Sequence, residues 1–522
     1  MTVRVFVPAD AIALALGADE VAARITAEAA DRGVEVHVVR NGSRGLFWIE
    51  PLVEVDTAEG RLAYGPVGVT DIAGLFDAGF TGGPCAHPLA LGPVDDIPEL
   101  AGQTRLTFAR HGVIDPRSLD DYVAHGGYEG LRRALADGPA HVVAEVTASG
   151  LRGRGGAAFP TGIKWQTVAG APALPKYVVA NADEGDSGTF SDRMVMEGDP
   201  FCLLEGMTIA AVGVGATHGV VYIRSEYPQA IATMQAAIDS ARAAGWLGAD
   251  VAGSGHAFDV EIRVGAGAYI CGEETSMLES IEGKRGMVRP KPPLPALEGL
   301  FGKPTVVNNV VTLASVPWIL ANGGAAYAAH GVGRSAGTLP VQLAGNIARG
   351  QLVEVPFGIT LRELIEHFGG GTRSGRPIGA VQIGGPLGAY FADAQLETAL
   401  DYEAISAAGG LLGHGGVVVF DDTVDLIAQA RFAMSFCAVE SCGKCTPCRV
   451  GSTRGVELID RISSGHHAER MRRQLDELCD VLESGSLCAL GGLTPYPVRS
   501  ALQLWDDRRG ATGPAGSSGE VR

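Results

Sequence analysis

The 522-residue sequence lacks an excess of positive charge and lacks a long apolar segment. It has 41 Lys and Arg against 59 Asp and Glu, which gives a formal net charge of −18. Nucleic acids and anionic membranes select basic protein surfaces, so we expect neither as the main partner. The longest nearly uncharged run, residues 206–223, contains four glycines and His218 and divides into a helix and a strand. Direct membrane insertion is therefore not expected.

The sequence also lacks the marks of an exported, disulfide-bonded protein. Pro8 and Asp10 interrupt the apolar residues near the N-terminus, so we interpret this segment as a first strand and not as a signal peptide. The nine cysteines are an odd number, and four of them have the spacing of a metal cluster, which favours a reducing compartment. We therefore expect a cytoplasmic protein.

Glycine is in excess. With 74 of 522 residues, its share is about twice the usual value. The glycines concentrate in motif-like loops, in which backbone N–H groups can approach phosphate groups closely.

Four cysteines near the C-terminus have the spacing of an iron–sulfur site. Cys442, Cys445 and Cys448 follow one another at three-residue intervals in SCGKCTPCR, and Cys488 follows forty residues later. Three thiolates on one loop bent by glycine and proline, with a fourth supplied by the fold, can hold a [4Fe–4S] cluster. A structural zinc site and a set of free thiols remain alternatives.

A chain of this length exceeds what one hydrophobic core supports, so three or four domains are expected. The pattern of elements predicts an α/β multidomain protein. The predicted divisions are a thioredoxin-like domain at 1–95, a larger domain at 96–335, a small α+β module at 336–425, a helical domain at 426–510 and a disordered tail at 511–522.

The first domain is compatible with a thioredoxin-like sheet. Its predicted elements are a strand at Val3–Val7, a helix at Ala13–Asp31, a strand at Val34–Val39 and a hairpin made of Leu46–Ile49 and Val53–Val55. Its only cysteine is Cys85, so it cannot hold a four-cysteine cluster of its own. We expect it to act in docking or as a scaffold without a ligand.

A glycine-rich segment, GLRGRGGAAFPTGIKW at residues 150–165, is a candidate phosphate-binding loop. It resembles a dinucleotide fingerprint, but the preceding segment is predicted as a helix and not as the required strand. The backbone N–H groups, Arg154 and Lys164 could hold a phosphate or pyrophosphate, and Phe159 could stack on a flat ring. An ordinary glycine-rich turn is the alternative.

Polar residues follow several predicted strands, where open α/β sheets bind ligands. NADEGDSGTF follows the strand at Tyr177–Ala180, with a capped turn as the alternative. AYICGEET follows the strand at Val260–Val264, and its Glu273 and Glu274 could accept from sugar hydroxyls or be first-turn helix residues. Paired asparagines at 308 and 309 suit a flavin edge or ribityl chain, and helix capping is the alternative for Asn309.

Four motifs occur together in one order: GLRGRGGAAFPTGIKW, NADEGDSGTF, AYICGEET and SCGKCTPCR. In this the chain resembles the NADH-binding flavoprotein subunit of respiratory complex I over roughly residues 120–500. It also resembles that subunit's soluble relatives, the diaphorase subunits of NAD-reducing hydrogenases and of molybdenum-containing NAD-dependent formate dehydrogenases. The resemblance implies FMN, NAD and a [4Fe–4S] cluster. It also implies a Rossmann-like FMN domain, a ubiquitin-like β-grasp module of the SLBB type and a C-terminal helical bundle that carries the cluster.

The resemblance implies a set of site residues by position. The implied FMN contacts are Gly153, Arg154, Gly155, Lys164, Asn181, Asp183, Glu184, Tyr269, Gly272, Glu273, Glu274, Asn308, Asn309 and Thr312. The implied NAD contacts are Phe159, Asp186, Glu274 and Lys291. The implied cluster ligands are Cys442, Cys445, Cys448 and Cys488. Asp186 stands where relatives often have Glu, and Leu294 and Thr167 replace aromatic residues that can stack on the adenine.

The extra N-terminal domain resembles a thioredoxin-like ferredoxin partner without its ligands, a layout similar to that of formate dehydrogenase β subunits. We therefore expect the diaphorase subunit of a soluble NAD-dependent formate dehydrogenase. Its expected partners are a ferredoxin-like [2Fe–2S] γ subunit and a catalytic α subunit that contains molybdenum. Hydride transfer between NAD(H) and flavin needs no proton-transfer residue, so no catalytic side chain is assigned. The alternatives are a hydrogenase diaphorase, a complex I subunit and, more remotely, a non-enzymatic metal-stabilised scaffold.

Overall fold

The computed structural model describes residues 2–511. The predicted disordered tail lies outside the described residues except for Ala511, which ends the last helix.

The N-terminal unit is a five-stranded sheet in the order β2-β1-β3-β4-β5. Strands β1 and β2 are parallel, and β3, β4 and β5 each run antiparallel to the preceding neighbour in the sheet. The strands are β1 (Val3–Phe6), β2 (Val36–Val39), β3 (Val53–Thr57), β4 (Gly60–Tyr64) and β5 (Ala90–Pro93). The helices are α1 (Ala11–Ala15), α2 (Ala18–Arg32), α3 (Ile72–Asp77) and α4 (Pro98–Ala101). This arrangement confirms the thioredoxin-like prediction.

Two local predictions in this unit are wrong. The expected hairpin partner of β3 is a short 3-10 helix at Phe47–Ile49, and β3 instead pairs with β4. The turn into β4 uses Gly60 in a left-handed conformation with φ of 109°, which favours glycine. The predicted single helix is divided into α1 and α2 by Gly17, which has φ of 93°.

The central unit is a parallel sheet in the order β8-β7-β6-β9. Its strands are β6 (Tyr177–Ala182), β7 (His218–Ile223), β8 (Asp259–Val264) and β9 (Thr305–Asn309). Its helices are α5 (Leu119–Ala124), α6 (Glu129–Asp137), α7 (Pro139–Ala148), α8 (Thr161–Gly170), α9 (Ser191–Gly198), α10 (Pro200–Val214), α11 (Pro228–Ala243), α12 (Glu274–Ile281), α13 (Pro295–Glu298), α14 (Val310–Asn322) and α15 (Gly324–Ala328). The chain adds β7 and β8 on one side of β6 and then returns to place β9 on the other, as in a Rossmann-like sheet.

Helix α10 lies inside this unit, and each of its residues is buried. This explains the long uncharged run in the sequence, since a helix buried all round needs no polar face. A Cβ added at Gly206 would lie 2.0 Å from the carbonyl oxygen of Leu313 in α14, so glycine permits a close crossing of the two helices. No helix among residues 2–511 has the length and apolar character needed to cross a membrane.

The third unit is a mixed five-stranded sheet in the order β13-β12-β16-β14-β15. Strand β12 is parallel to β16, and the other pairs are antiparallel. Its elements are a short hairpin of β10 (Gly331–Val332) and β11 (Ser335–Ala336), then β12 (Thr338–Gly345), β13 (Gln351–Pro356), α16 (Leu361–Glu363) with a π-helical continuation at Leu364–Phe368, β14 (Ile378–Ile383), β15 (Tyr390–Phe391), α17 (Tyr402–Ala407) and β16 (Gly416–Asp421). With its last strand in the centre beside its first, the sheet has β-grasp topology, as predicted.

The C-terminal unit is helical, also as predicted. It comprises α18 (Leu426–Glu440), a π-helical turn at Pro447–Gly451, α19 (Ser452–Ser463), α20 (Ala468–Gly485), α21 (Ala489–Leu493) and α22 (Pro495–Ala511). Met434, Ile459, Leu475 and Leu482 are buried together in its core.

Candidate functional site

The central sheet brings together the two strands whose polar ends the sequence singled out. Strands β6 and β9 are parallel neighbours, and Asn181 pairs in register with Asn309. The order of strands reverses at this pair, and open α/β sheets bind ligands in the crevice outside the carboxyl ends of strands at such a point. The side chain of Asn181 donates to the carbonyl of Gly272 at 2.8 Å, which ties in the loop after β8.

Two lysines and two glutamates form one charged group beside this edge. Lys291 Nζ lies 2.8 Å from Glu273 and 2.7 Å from Glu274, and Lys164 Nζ lies 3.8 Å from Glu274. Burial lowers the pKa of Lys164. Burial alone would raise the pKa of Glu274, but Lys164 and Lys291 lower it overall. The structure thus brings predicted flavin and nicotinamide contacts from two of the motifs together with Lys291, which lies outside the motifs.

Glu273 has a second role that the sequence left as an alternative. Its carboxylate accepts from the backbone N–H groups of Thr275 and Ser276, both at 2.9 Å, and so caps helix α12. The cap fixes the direction in which α12 leaves the site.

The glycine-rich loop is a closed turn and lies against the end of β9. Gly153 N–H donates to the carbonyl of Phe159 at 2.9 Å, and the loop follows a helix, as predicted. A Cβ at Gly155 would lie 2.9 Å from the Cβ of Asn309, so the backbone can approach this asparagine only without a side chain. Phe159 is 49% exposed and is free to stack on a flat ring.

Arg154 does not present its guanidinium as a free phosphate-binding group. The residue is fully buried, and its guanidinium donates to Ala336 O at 2.8 Å and to the Tyr327 hydroxyl at 3.0 Å. It also lies over the ring of Phe357. Its backbone N–H donates to Thr312 Oγ1. Arg154 therefore joins the glycine-rich loop to the third unit, a role that needed knowledge of contacts far along the chain.

The acidic loop after β6 contains two kinds of carboxylate: some accept hydrogen bonds from the protein, and one lies beside a cleft. Glu184 is 3% exposed and accepts from the N–H groups of Asp192 and Arg193 at 3.1 and 3.0 Å. Asp186 accepts from the Tyr269 hydroxyl at 2.7 Å. These bonds organise the loop itself.

Asp183 is different, because its Oδ2 is buried and has no hydrogen-bond partner among the described residues. Burial raises its pKa to about 7. It lines a cleft of about 130 Å³ with Gly185, Tyr269, Phe436 and other residues. A buried carboxyl oxygen without a partner needs a hydrogen-bond donor, and a hydroxyl group can supply one.

Asn308 and Asn309 are held by the protein. Asn308 Oδ1 accepts from the Trp165 indole N–H at 2.9 Å. Asn309 Oδ1 caps helix α14 through Thr312 N–H at 3.2 Å, and its Nδ2 donates to Asp192 at 2.7 Å. The capping alternative for Asn309 is therefore realised in the structure.

The four motif cysteines lie in one apolar cluster with residues of the loop after β8. Cys448 is buried and Cys442, Cys445 and Cys488 are half-buried, and all four pack in the cluster that contains Ile270. The same cluster includes residues of β6, β7 and β9. The cysteine site and the ligand-binding edge of the sheet are thus neighbours.

The pKa values of two of these thiols are shifted in opposite directions, and burial raises that of Cys488 to about 11. A hydrogen bond from Cys437, whose sulfur lies 3.8 Å away, lowers the pKa of Cys448 to about 6, which favours the thiolate that metals bind. Among residues 2–511, one group of three metal-ligating side chains has its ligand atoms within 4.8 Å of one another, and its members are Glu184, Asp192 and His414. The cysteines do not form such a group in this part of the chain.

A groove of about 810 Å³ lies elsewhere, between α7 and α10. Its lining is mostly apolar, and the ammonium of Lys176 within it already donates to Ala169 O and Val214 O. It is remote from the carboxyl ends of the strands, and we assign no chemistry to it.

Comparisons with known proteins show which family the chain belongs to. Residues 146–318 match the family model described as the Nuo51 FMN-binding domain, and residues 428–511 match the NADH-ubiquinone oxidoreductase-F iron-sulfur binding region. The chain is 48% identical over 403 residues to the NADP-reducing hydrogenase subunit HndC of Solidesulfovibrio fructosivorans, covering 77% of this chain and 82% of that protein. It is 46% identical to an NADH-quinone oxidoreductase subunit of Rhizobium meliloti (strain 1021), covering 75% and 93%.

A solved structure extends the likeness to the N-terminal unit. A chain of the NAD+-reducing [NiFe]-hydrogenase in the H2-reduced state superposes with a TM-score of 0.68 at 29% identity, covering 99% of this chain and 85% of that one. The chain therefore belongs to the family of 51 kDa-type NADH-binding flavoproteins of complex I and NAD-reducing hydrogenases, and its cofactors are FMN, NAD and a [4Fe–4S] cluster.

Proposed function

We propose that this chain is the diaphorase subunit of an NAD-dependent formate dehydrogenase. The observation that carries the proposal is the N-terminal unit. It has the thioredoxin-like fold, but Cys85 is its only cysteine, so it has no four-thiol set for a cluster. The proposed partners are a ferredoxin-like [2Fe–2S] subunit and a molybdenum-containing catalytic subunit.

The proposed flavin site is the crevice between the glycine-rich loop and the ends of β6 and β9. The backbone of Gly153 and Gly155, the unpaired carboxyl of Asp183 and the charged group around Lys164 would bind and orient FMN. Phe159, Asp186 and Lys291 would hold the nicotinamide nucleotide above it. The remaining members of the proposed contact set are Arg154, Asn181, Glu184, Tyr269, Gly272, Glu273, Glu274, Asn308, Asn309 and Thr312. FMN supplies the exchange between hydride transfer and single-electron transfer, while the protein supplies stacking, orientation and charge.

The proposed cluster ligands are Cys442, Cys445, Cys448 and Cys488. Their shared apolar surroundings with the ends of the central strands support electron exchange between flavin and cluster over a short path. From the cluster, electrons would pass to or from the partner subunits.

The decisive experiment is metal analysis of the native complex, purified through a tag on this chain. A formate dehydrogenase is expected to contain molybdenum beside iron and to reduce NAD⁺ with formate. Nickel without molybdenum, together with H₂-dependent NAD⁺ reduction, would contradict the proposal.

A second candidate is the diaphorase subunit of an NAD-reducing hydrogenase. The coverage of 99% of this chain by the hydrogenase structure, thioredoxin-like unit included, favours it. The same metal analysis separates the two. Co-purification of membrane subunits with quinone reduction would instead indicate complex I.

A further inference from the structure

Two residues of the third unit, Gln342 and His414, contact the start of helix α9 in the central unit. Gln342 on β12 accepts from the N–H groups of Phe190 and Ser191 at 2.8 and 3.2 Å. The Nε2 atom of His414, on the turn before β16, lies 3.0 Å from Ser191 Oγ and 3.3 Å from Asp192 Oδ1. The side chain of Gln342 also donates to the backbone carbonyl of His414 at 3.0 Å. The two residues are therefore bonded to each other as well as to the start of α9.

His414 is the cation opposite a group of buried carboxylates. It is 5% exposed, and Glu184 and Asp192 are 3% and 1% exposed. Burial alone would lower the pKa of His414, but Asp192, Glu184 and Asp186 raise it to about 9. The phenol of Tyr227, the residue before α11, also faces this group and donates to Glu184 at 3.1 Å. A buried carboxylate without a counter-charge is costly, so the imidazolium fixes the position of Asp192.

Asp192 transmits this position to the glycine-rich loop. Its Oδ2 accepts from Asn309 Nδ2 at 2.7 Å and its Oδ1 from Val311 N–H at 3.3 Å. The Cβ of Asn309 is the surface against which Gly155 lies, since a Cβ at Gly155 would approach it to 2.9 Å. Two polar contacts and one packing contact therefore connect the third unit to the loop.

A metal ion is the competing explanation for this trio, because the three ligand atoms lie within 4.8 Å of one another. The carboxylate oxygens, however, already accept from backbone N–H groups, the Tyr227 phenol and the Asn309 amide. These bonds satisfy the carboxylates of the trio within the protein.

We propose that His414 is a positioning residue for the flavin site: through Asp192 and Asn309 it fixes the glycine-rich loop in its FMN-binding conformation. The proposal rests on the proposed function, in that FMN binds at this loop. It makes the β-grasp module a contributor to flavin affinity without direct contact.

The test measures the FMN dissociation constant of the full-length chain by quenching of flavin fluorescence. His414→Gln is expected to raise it about tenfold or more, while His367→Gln, an exposed histidine of the same unit, leaves it unchanged. Asp192→Asn should raise it similarly, and the double variant His414→Gln/Asp192→Asn should be no worse than the more affected single variant, because both residues act along one connection. An unchanged constant in His414→Gln with an unchanged thermal midpoint would overturn the inference.

A pH profile separates positioning from a general loss of stability. In the wild type, the FMN dissociation constant is expected to rise from pH 8 to 10 as the imidazolium loses its proton. In His414→Gln this component is absent, while effects of Lys164 and of the flavin itself remain common to both. Identical profiles would contradict the role of His414, and so would a stoichiometric metal other than iron that is lost in His414→Gln.

Gly155→Ala distinguishes failure of the inference from failure of the proposed site. Its Cβ would collide with Asn309 and should weaken FMN binding if the loop holds the flavin. If Gly155→Ala weakens binding and His414→Gln does not, the inference fails and the site stands. If neither weakens it, both fail.

Discussion

At the scale of single residues, buried carboxylates hold distant segments together by accepting from backbone N–H groups. Glu205 accepts from the N–H groups of Tyr128 and Leu131 at 2.7 and 2.9 Å. Glu354 accepts from those of Thr107 and Phe108, both at 2.9 Å. Such bonds satisfy backbone groups that are out of reach of helices and sheets.

Cys445→Ala is expected to abolish the EPR signal of the reduced cluster, because three thiolates no longer complete the site. FMN should stay bound, since the flavin crevice is formed by other residues. Cys85→Ser, in the N-terminal unit, is the matched control and should retain the full signal. Retention of the signal in Cys445→Ala would refute the ligand assignment.

His111 makes stability sensitive to acid. Burial and the nearby Arg105 lower its pKa to about 3, and its Nε2 lies 3.2 Å from Met194 O. Because the unfolded chain takes up a proton below about pH 6.5 and the folded chain does not, this residue's contribution declines as the pH falls from 6.5 towards 3. The loss is up to about 1.4 kcal/mol per pH unit.

The check compares thermal midpoints of the wild type, His111→Gln and, as an exposed control, His37→Gln. From pH 7 to pH 5 the midpoints of the wild type and His37→Gln should shift in parallel, and the midpoint of His111→Gln should shift less towards lower temperature or further towards higher temperature than theirs. Parallel curves for all three would contradict the assignment.

At the scale of elements, close helix crossings depend on glycine. Gly206→Ala in α10 would put a Cβ 2.0 Å from the carbonyl oxygen of Leu313, so α10 and α14 must move apart. We expect a loss of at least about 1–3 kcal/mol, seen as a lower thermal midpoint. Gly170→Ala, at the end of α8 with nothing within 4 Å of the added Cβ, is the control and should be neutral or slightly stabilising.

The sequence predicted most elements of the fold because their periodicity is local. Strands β1, β2, β6 and β8 lie within about two residues of their predicted positions. The hairpin of the N-terminal unit was mispredicted because Leu46–Ile49 has the composition of a strand. In the structure Leu46 and Ile49 are buried in one apolar cluster, and the segment forms a 3-10 helix.

The parts of the candidate site that depend on short segments could also be predicted from the sequence. The polar ends of β6 and β9 and the cysteine spacing are properties of short segments. The direction of Arg154 and the part played by His414 are not, because Arg154 bonds to a residue 182 positions away and His414 to one 223 positions away. A lone histidine in the glycine-rich turn LGHGG gives no signal in the sequence.

At the scale of the whole molecule, the binding regions for NAD, FMN and the cluster belong to one chain. We therefore expect the purified full-length chain, reconstituted with FMN, iron and sulfide, to oxidise NADH with ferricyanide in the absence of partner subunits. The assay is the loss of NADH absorbance, with protein lacking FMN as the control. A colourless, iron-free and inactive chain after anaerobic reconstitution would contradict this and favour a scaffold.

The support of α9 by Gln342 and His414 has a consequence for biosynthesis. A ribosome produces the glycine-rich loop and all four central strands long before it reaches residue 414, and N-terminal domains generally fold first during synthesis. The nascent chain thus contains the crevice before Gln342 and His414, which stabilise it, have been translated. We expect tight cofactor loading to begin only once the β-grasp module has emerged and docked.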